Sequence, residues 1–348
     1  MKLALGLDLY RGASMEVPVD QVRVAEDLGY HSVWTAEAYG SDAFSPLAYL
    51  AAFTTRIKLG TDIAQIAART PAATAMHAMT IDSIAGGNRV IIGLGVSGPQ
   101  IVEGWYGQPW GNPNRRLREY VEIMRTVFAR EPLTHDGVEF PLPYAGPGAL
   151  GQGKPLRSIL HPAGEIPIWL AAGGPKNTAL AAEVADGLLP MGWGREGEEV
   201  YGPHLDAGFA TRGGRPDGFE IFGGVSVVIT DDVRATIDAA KPLTAMYVGG
   251  MGSATHNYHR EAMARRGFPE AAAQIHERWM AGDKEGAVAA VPDEYIEQGT
   301  LVGSPQRIRD AWEPFTRLGV TGLIVRGQGT EGLELLADLA GTRDTVEG

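Results

Sequence analysis

The chain has 348 residues, a hydrophobic fraction of 44% and a formal net charge of −12, from 30 Lys and Arg against 42 Asp and Glu. That balance argues against a nucleic-acid partner, which needs a concentrated basic surface. With no cysteine, disulfides, thiolate metal sites and a cysteine nucleophile are excluded.

Met1–Asp8 is charged too early to be a secretory signal, and Leu3–Tyr10 reads as a short buried strand. Pro18–Leu28 is predicted helical, with Val19, Val22, Ala25 and Leu28 on one face. Ser32–Glu37 is the second strand, and Ser45–Thr55 a helix with Ser45 as N-cap and Pro46 at its first position. Lys58–Ile63 is the third strand. Thr70-Pro71 then opens a long helix to about Ala85, ended by Gly86-Gly87. Arg89–Val96 is the fourth strand and Arg115–Arg130 a helix. Residues 131–165, rich in Pro and Gly, read as an insertion forming a lid.

The alternation resumes with strand Ile166–Ala172, helix Pro175–Ala185, strand Gly187–Met191, strand Phe219–Thr230 and a helix from Asp232. Helical pieces near Tyr258–Arg266 and Glu270–Met280 suggest a second insertion over 250–304. Helix Arg307–Leu318, strand Gly322–Arg326 and helix Glu331–Leu339 close the chain. About eight β/α units in this order predict an α/β fold, one (β/α)8 TIM barrel over 1–348 with insertions near 131–165 and 250–304. No apolar stretch approaches the roughly 20 residues of a membrane span. Cytoplasmic location is the default expectation.

Ligands of such barrels sit at the C-terminal strand ends. Those ends carry Asp8, Glu37, Asp62, Ser97 with Gly98, Gly173 with Gly174, Met191-Gly192-Trp193, and Arg326. Three carboxylates and an arginine around one mouth suit a small polar ligand. Ala171-Ala172-Gly173-Gly174-Pro175-Lys176-Asn177-Thr178 ends a strand in glycines and starts a helix. Free amides there, with the helix dipole behind them, favour a phosphate; an ordinary tight turn is the competing reading.

Gly93-x-Gly95-x-x-Gly98 looks like a dinucleotide fingerprint, yet no helical period follows until Arg115, so the Rossmann context is missing. His256 and His259 form only an i,i+3 pair, and no metal site is expected. Trp34, Trp105, Trp110 and Trp193 lie at or just after strand ends, where core or loop packing is the ordinary reading and four around one mouth favour a flat, conjugated ligand.

Together these pieces resemble the luciferase-like monooxygenase superfamily. The carrying motif is Ile81-Asp82-Ser83-Ile84-Ala85-Gly86-Gly87-Asn88-Arg89 with Ile92-Gly93-Leu94-Gly95, supported by Ser32–Tyr39 and Ile166–Pro175. Ser97–Gly107 and Gly153-Lys154-Pro155-Leu156 look like its coenzyme F420-dependent branch, similar to methylenetetrahydromethanopterin reductases. The resemblance implies hydride transfer between a deazaflavin in the barrel mouth and a small organic substrate, by a homodimer. It places Glu37 near the ring, a cis peptide at Asp62-Ile63 against it, and Ser97 and Gly98 beside it. Gly173, Gly174, Asn177 and Thr178 match the cofactor phosphate site. The sugar-phosphate dehydrogenases of this branch have a histidine where this chain has Ala38 and a glutamate where it has Pro99. Glu37 or Asp62 is then the expected proton donor. An FMN-dependent monooxygenase and a non-catalytic flavin-binding protein are the alternatives on the same fold.

Overall fold

Short aliphatic runs buried on both faces make parallel strands, and the amphipathic segments between them cover those strands with helices. The computed structural model describes residues 1–251, 257–327 and 329–343. Its strands are β1 (Lys2–Leu7), β2 (Ser32–Thr35), β3 (Lys58–Thr61), β4 (Ala64–Gln65), β5 (Val90–Gly95), β6 (Ile168–Ala172), β7 (Gly187–Pro190), β8 (Glu220–Ile229), β9 (Thr300–Gly303) and β10 (Gly322–Arg326). Helices α1 (Val19–Asp27), α2 (Ser45–Ala51), α3 (Pro71–Ile84), α4 (Pro99–Gly104), α5 (Pro113–Phe128), α6 (Pro175–Val184) and α7 (Gly197–Arg212) lie in the first part of the chain. After β8 come α8 (Val233–Gly250), α9 (Tyr258–Arg265), α10 (Pro269–Met280), α11 (Lys284–Ala289) and α12 (Asp293–Glu297), then α13 (Pro305–Thr316) and α14 (Thr330–Ala340).

Parallel strands pair in the order β10-β1-β2-β3-β5-β6-β7-β8, and β8 returns to β10 from Gly322↔Phe222 to Arg326↔Ser226. The predicted TIM barrel is thus closed by eight strands. β4 resumes pairing with β5 beyond a bulge, and β9 runs along the outer half of β8. Inside the barrel, Trp34, Trp169 and Phe222 pack with Ala4, Ile91, Leu189 and Ile324. Glycines opposite make the room: a Cβ on Gly60 would lie 2.5 Å from the Trp34 ring, and one on Gly322 2.5 Å from Phe222. Residues pointing the other way, such as Leu3, Leu5, Val33 and Leu59, join the larger core under the helices.

The family motif is structural in this chain. Asp82 Oδ1 accepts from the amides of Arg89 (2.8 Å) and Val90 (3.2 Å), joining the end of α3 to the start of β5. Gly86 and Gly87 turn the chain at φ 89° and 93°, conformations open to glycine. Arg89 is buried, and its guanidinium donates to the carbonyls of Thr54 and Ile57 at 2.8–3.0 Å.

Several expectations need correction. β1 ends at Leu7, and Tyr10 lies in a 3-10 turn, Leu9–Arg11. Ser45 is not the cap of α2: Asp42 Oδ1 accepts from its amide and from that of Phe44, both at 2.8 Å. A helix does follow Gly98, but α4 is only six residues long. α7 occupies a stretch without readable periodicity, because its apolar positions are diluted by Gly and Pro. No residue of 131–165 lines the cleft at the C-terminal strand ends. Glu119 on α5 accepts from the amides of Val138, Glu139 and Phe140, and Pro162–Pro167 reach the N-terminal end of the barrel. His256 lies outside the described residues, as does part of the 250–304 insertion, whose helices share a small core of their own.

At that N-terminal end, burial, aided by Lys2 and Lys58, pushes the His31 pKa down to about 4. The unfolded chain binds a proton there near pH 6.5 and the folded chain does not, so stability falls as pH drops from 6.5 toward 4. The slope is at most about 1.4 kcal/mol per pH unit for this group. His31→Gln is expected to flatten the fall in urea midpoint between pH 7 and pH 5; an unchanged slope would remove His31 from the account.

Candidate active site

At the C-terminal strand ends a cleft of about 840 Å3 is lined from every side of the barrel. Of the residues expected there, Glu37, Asp62, Ile63, Ser97, Gly98, Gly173, Gly174 and Asn177 all line it. Thr178 does not. It is fully buried, and its hydroxyl donates to the Gly174 carbonyl at 2.9 Å, closing the first turn of α6.

The floor is shaped by the segment between β3 and β4, where the Asp62-Ile63 peptide is cis as expected. Gly93 and Gly95 serve that segment: a Cβ on Gly93 would lie 2.0 Å from the Thr61 carbonyl oxygen, and one on Gly95 2.7 Å from the Ile63 side chain. Gly93 and Gly95 thus clear room for the neighbouring strand and for Ile63. Beyond them Ser97 holds φ 52°, an uncommon left-handed conformation for a side-chain-bearing residue.

Both carboxylates expected to donate protons are engaged as acceptors. Glu37 Oε1 accepts from Arg69 Nη1 (2.7 Å) and the Gln65 amide (2.8 Å). Its Oε2 accepts from Arg69 Nη2 (2.9 Å) and the Ala43 amide (3.1 Å). Burial alone would lower the Arg69 pKa, but Glu37 and Asp42 raise it. Asp62 Oδ2 pairs with Arg326 Nη2, and Arg326 Nε lies 3.5 Å from Asp8, which pairs with Arg11 at 3.0 Å. Arg326 too is raised, by Asp62 and Asp8, against the opposing effect of burial. Alternating charges Arg11–Asp8–Arg326–Asp62 therefore cross the floor from β1 to β3 through β10.

On one side α6 opens at Gly174 with no side-chain cap, and a Cβ there would meet nothing within 4 Å. Amides at this end are thus available to an anion. Arg265 of α9 donates to the Gly173 carbonyl at 2.7 Å, bringing a cation beside the same turn. Tyr39 and Trp105, 59% and 63% exposed with ring centroids 6.4 Å apart, stand at the rim. The other three tryptophans do not line the cleft. Trp34 is barrel core, Trp193 is buried and stacked on Tyr201, and Trp110 is absent from the lining.

The sequence reading missed Tyr10, Arg11, Tyr247, Met251, Tyr258, His259 and Glu261, which also line the cleft. The usable signal was position: a long insertion after the C-terminal end of a barrel strand belongs to the ligand-binding face. Among the described residues no cluster of His, Cys, Asp and Glu could hold a metal ion, and no helix is long and apolar enough to cross a membrane.

The model of the luciferase-like monooxygenase family matches residues 5–322. A Mycobacterium tuberculosis protein provisionally named a coenzyme F420-dependent oxidoreductase is 43% identical over 97% of this chain and 99% of its own. The 5,10-methylenetetrahydromethanopterin reductase of Archaeoglobus fulgidus is 30% identical over 87% of each chain. Among solved structures, the coenzyme F420-dependent tetrahydromethanopterin reductase of Methanopyrus kandleri matches with a TM-score of 0.77, 24% identity and 97% coverage of both chains. An F420-dependent secondary alcohol dehydrogenase in complex with an F420–acetone adduct matches at 0.74, with 17% identity and 99% coverage of both. At such identities the structural matches speak for the fold. The chain belongs to the luciferase-like monooxygenase family, beside its coenzyme F420-dependent members, and is an oxidoreductase.

Proposed function

We propose that this oxidoreductase transfers a hydride between coenzyme F420 in the barrel-mouth cleft and a small organic substrate. The observation that carries this reading is the union, in one cleft, of an apolar shelf with an uncapped helix N-terminus. Ile63, Val96 and Ala171 offer the shelf, and Gly173, Gly174 and Asn177 the anion end. That pairing fits a flat ring joined to a phosphate, and the names of the relatives point to F420. When bound, a 5-deazaflavin supplies two electrons as hydride at C5 and reacts poorly with oxygen.

The chain's own residues then divide the work of binding and orientation. Ile63, Ser97 and Gly98 flank the ring. Amides at the start of α6 hold the phosphate, with Arg265 fixing the Gly173 carbonyl. Asp62, paired with Arg326, presents a fixed charge beside the ring, and Glu37 braces the segment after the bulge through the Gln65 amide.

Titration with coenzyme F420 and with FMN, followed by quenching of tryptophan fluorescence, tests the reading. F420 is expected to bind and to exchange hydride without consuming oxygen. Binding of FMN alone, with oxygen uptake, would overturn it in favour of a monooxygenase. Tight F420 binding without exchange would leave a binding protein. A homodimer is proposed as well, supported by the exposed Tyr49, Met76 and Ile84 on α2 and α3. A monomer mass in sedimentation at micromolar concentration would rule it out.

A further inference from the structure

Opposite the cleft, at the N-terminal strand ends, lies a second cavity of about 720 Å3. The packed rings of Trp34, Trp169 and Phe222 fill the barrel between the two. Lys2 at the start of β1, Lys58 at the start of β3 and His31 just before β2 line one side of it. Lys2 Nζ pairs with Glu220 at the start of β8. Lys58 has no hydrogen-bond or ion-pair partner among the described residues, and Glu220 acts on it only at longer range. Burial and the charge of Lys2 hold the Lys58 pKa below its ordinary value, and burial with both lysines holds that of His31 at about 4. One carboxylate therefore leaves the positive potential of this wall uncancelled.

Arginines supply further cations to the lining. Arg125 of α5 pairs with Asp186 at 3.0 Å and donates to the Val184 carbonyl at 2.9 Å. Arg212 of α7 lies 4.0 Å from the same Asp186, whose other oxygen accepts from the Ile168 amide at 2.9 Å. Asp186 thus serves two arginines, as Glu220 serves two lysines. The remaining carboxylates of the lining, Glu165 and Asp217, are exposed to water. In a chain of net charge −12, four cations converge on one cavity against two partly buried carboxylates. Such a local excess of one sign concentrates ligands of the other.

We propose that this cavity binds a small dicarboxylate, with one carboxylate on Lys58 and Lys2 and the other toward Arg125 and Arg212. Its volume falls within the range of small-molecule sites, about 300–1,000 Å3. Phe128 and Pro162 offer apolar contact to the carbon chain. The site is separate from the barrel-mouth cleft and does not depend on the cofactor reading.

Calorimetric titration of the full chain with succinate, glutarate and acetate, at constant pH and ionic strength, tests this. Succinate or glutarate is expected to bind with a Kd of about 1 mM or tighter, at least about tenfold tighter than acetate. Lys58→Gln removes the unpaired cation and is expected to weaken the dicarboxylate at least about fivefold, a loss tempered by solvent screening. Glu220→Gln frees Lys2 from its competing carboxylate and is expected to tighten binding at least about threefold. Thermal unfolding checks that each variant is folded, and the two opposite changes do not depend on one another. A wild type that binds neither dicarboxylate, or binds acetate equally well, would overturn the proposal. Affinity unmoved by both substitutions would overturn it too, leaving a general salt effect. The other place open to an anion is the start of α6. Binding lost in Asn177→Asp but kept in Lys58→Gln would put the dicarboxylate in the cleft and overturn the second site.

Discussion

An Arg69→Met variant is expected to lose about 3–5 kcal/mol of unfolding free energy, because it strands a buried carboxylate. The Glu37 side chain is only 3% exposed and that of Arg69 17%, so water cannot replace the guanidinium. The pair is bidentate, with Nη1 and Nη2 each on its own carboxylate oxygen at 2.7 and 2.9 Å, the geometry in which arginine and carboxylate interact most strongly. The two remaining acceptor directions take the amides of Ala43 and Gln65, so the ion pair also fixes the approach to α2 and the return from the bulge. Removing both partners, as Glu37→Leu with Arg69→Met, is expected to cost less than the sum of the single changes by at least about 1 kcal/mol. Urea unfolding of the four proteins measures this. A single-variant loss below about 1 kcal/mol would mean that the pair behaves like a solvated surface ion pair.

Asn177→Asp is expected to separate stability from binding. Asn177 is the third residue of α6, where a carboxylate meets the positive end of the helix dipole and free amides. Thermal stability should therefore hold or rise, by about 0.3–1 kcal/mol. A phosphate proposed for the same amides meets a negative charge and a competing acceptor, and F420 affinity should fall at least tenfold, roughly 1.4 kcal/mol. Part of that loss is Coulombic and should shrink at 0.5 M salt, where screening is short-ranged. Unchanged affinity at low salt would place the phosphate away from α6.

The barrel was legible because a buried parallel strand writes itself as an unbroken aliphatic run. β5 is buried at all six positions, and its sequence Val-Ile-Ile-Gly-Leu-Gly shows it. Thr70-Pro71 was equally readable as the opening of α3, where the Thr70 side chain accepts the Ala73 amide at 3.3 Å. α7 hid its helical period behind scattered glycines and Pro203. The path of 131–165 was unreadable for a related reason: Pro and Gly mark an irregular course without saying which end of the barrel it visits, and none of these residues lines the cleft.

The local chemistry of single segments was set by the sequence itself: a glycine-ended strand before α6, acids at the ends of three strands, and a motif that joins α3 to β5. Which of those groups face one another was decided only by closure of the barrel. Arg326 reaches Asp62 across 264 positions of chain, and Arg69 reaches Glu37 across 32. Two expected proton donors became ion-pair partners through those contacts. His259 entered the cleft by the same route, carried over the mouth on helices inserted after β8. Strand and helix periods are local and survive in one dimension. Ion pairing and desolvation depend on distances that exist only once strands far apart in sequence lie side by side.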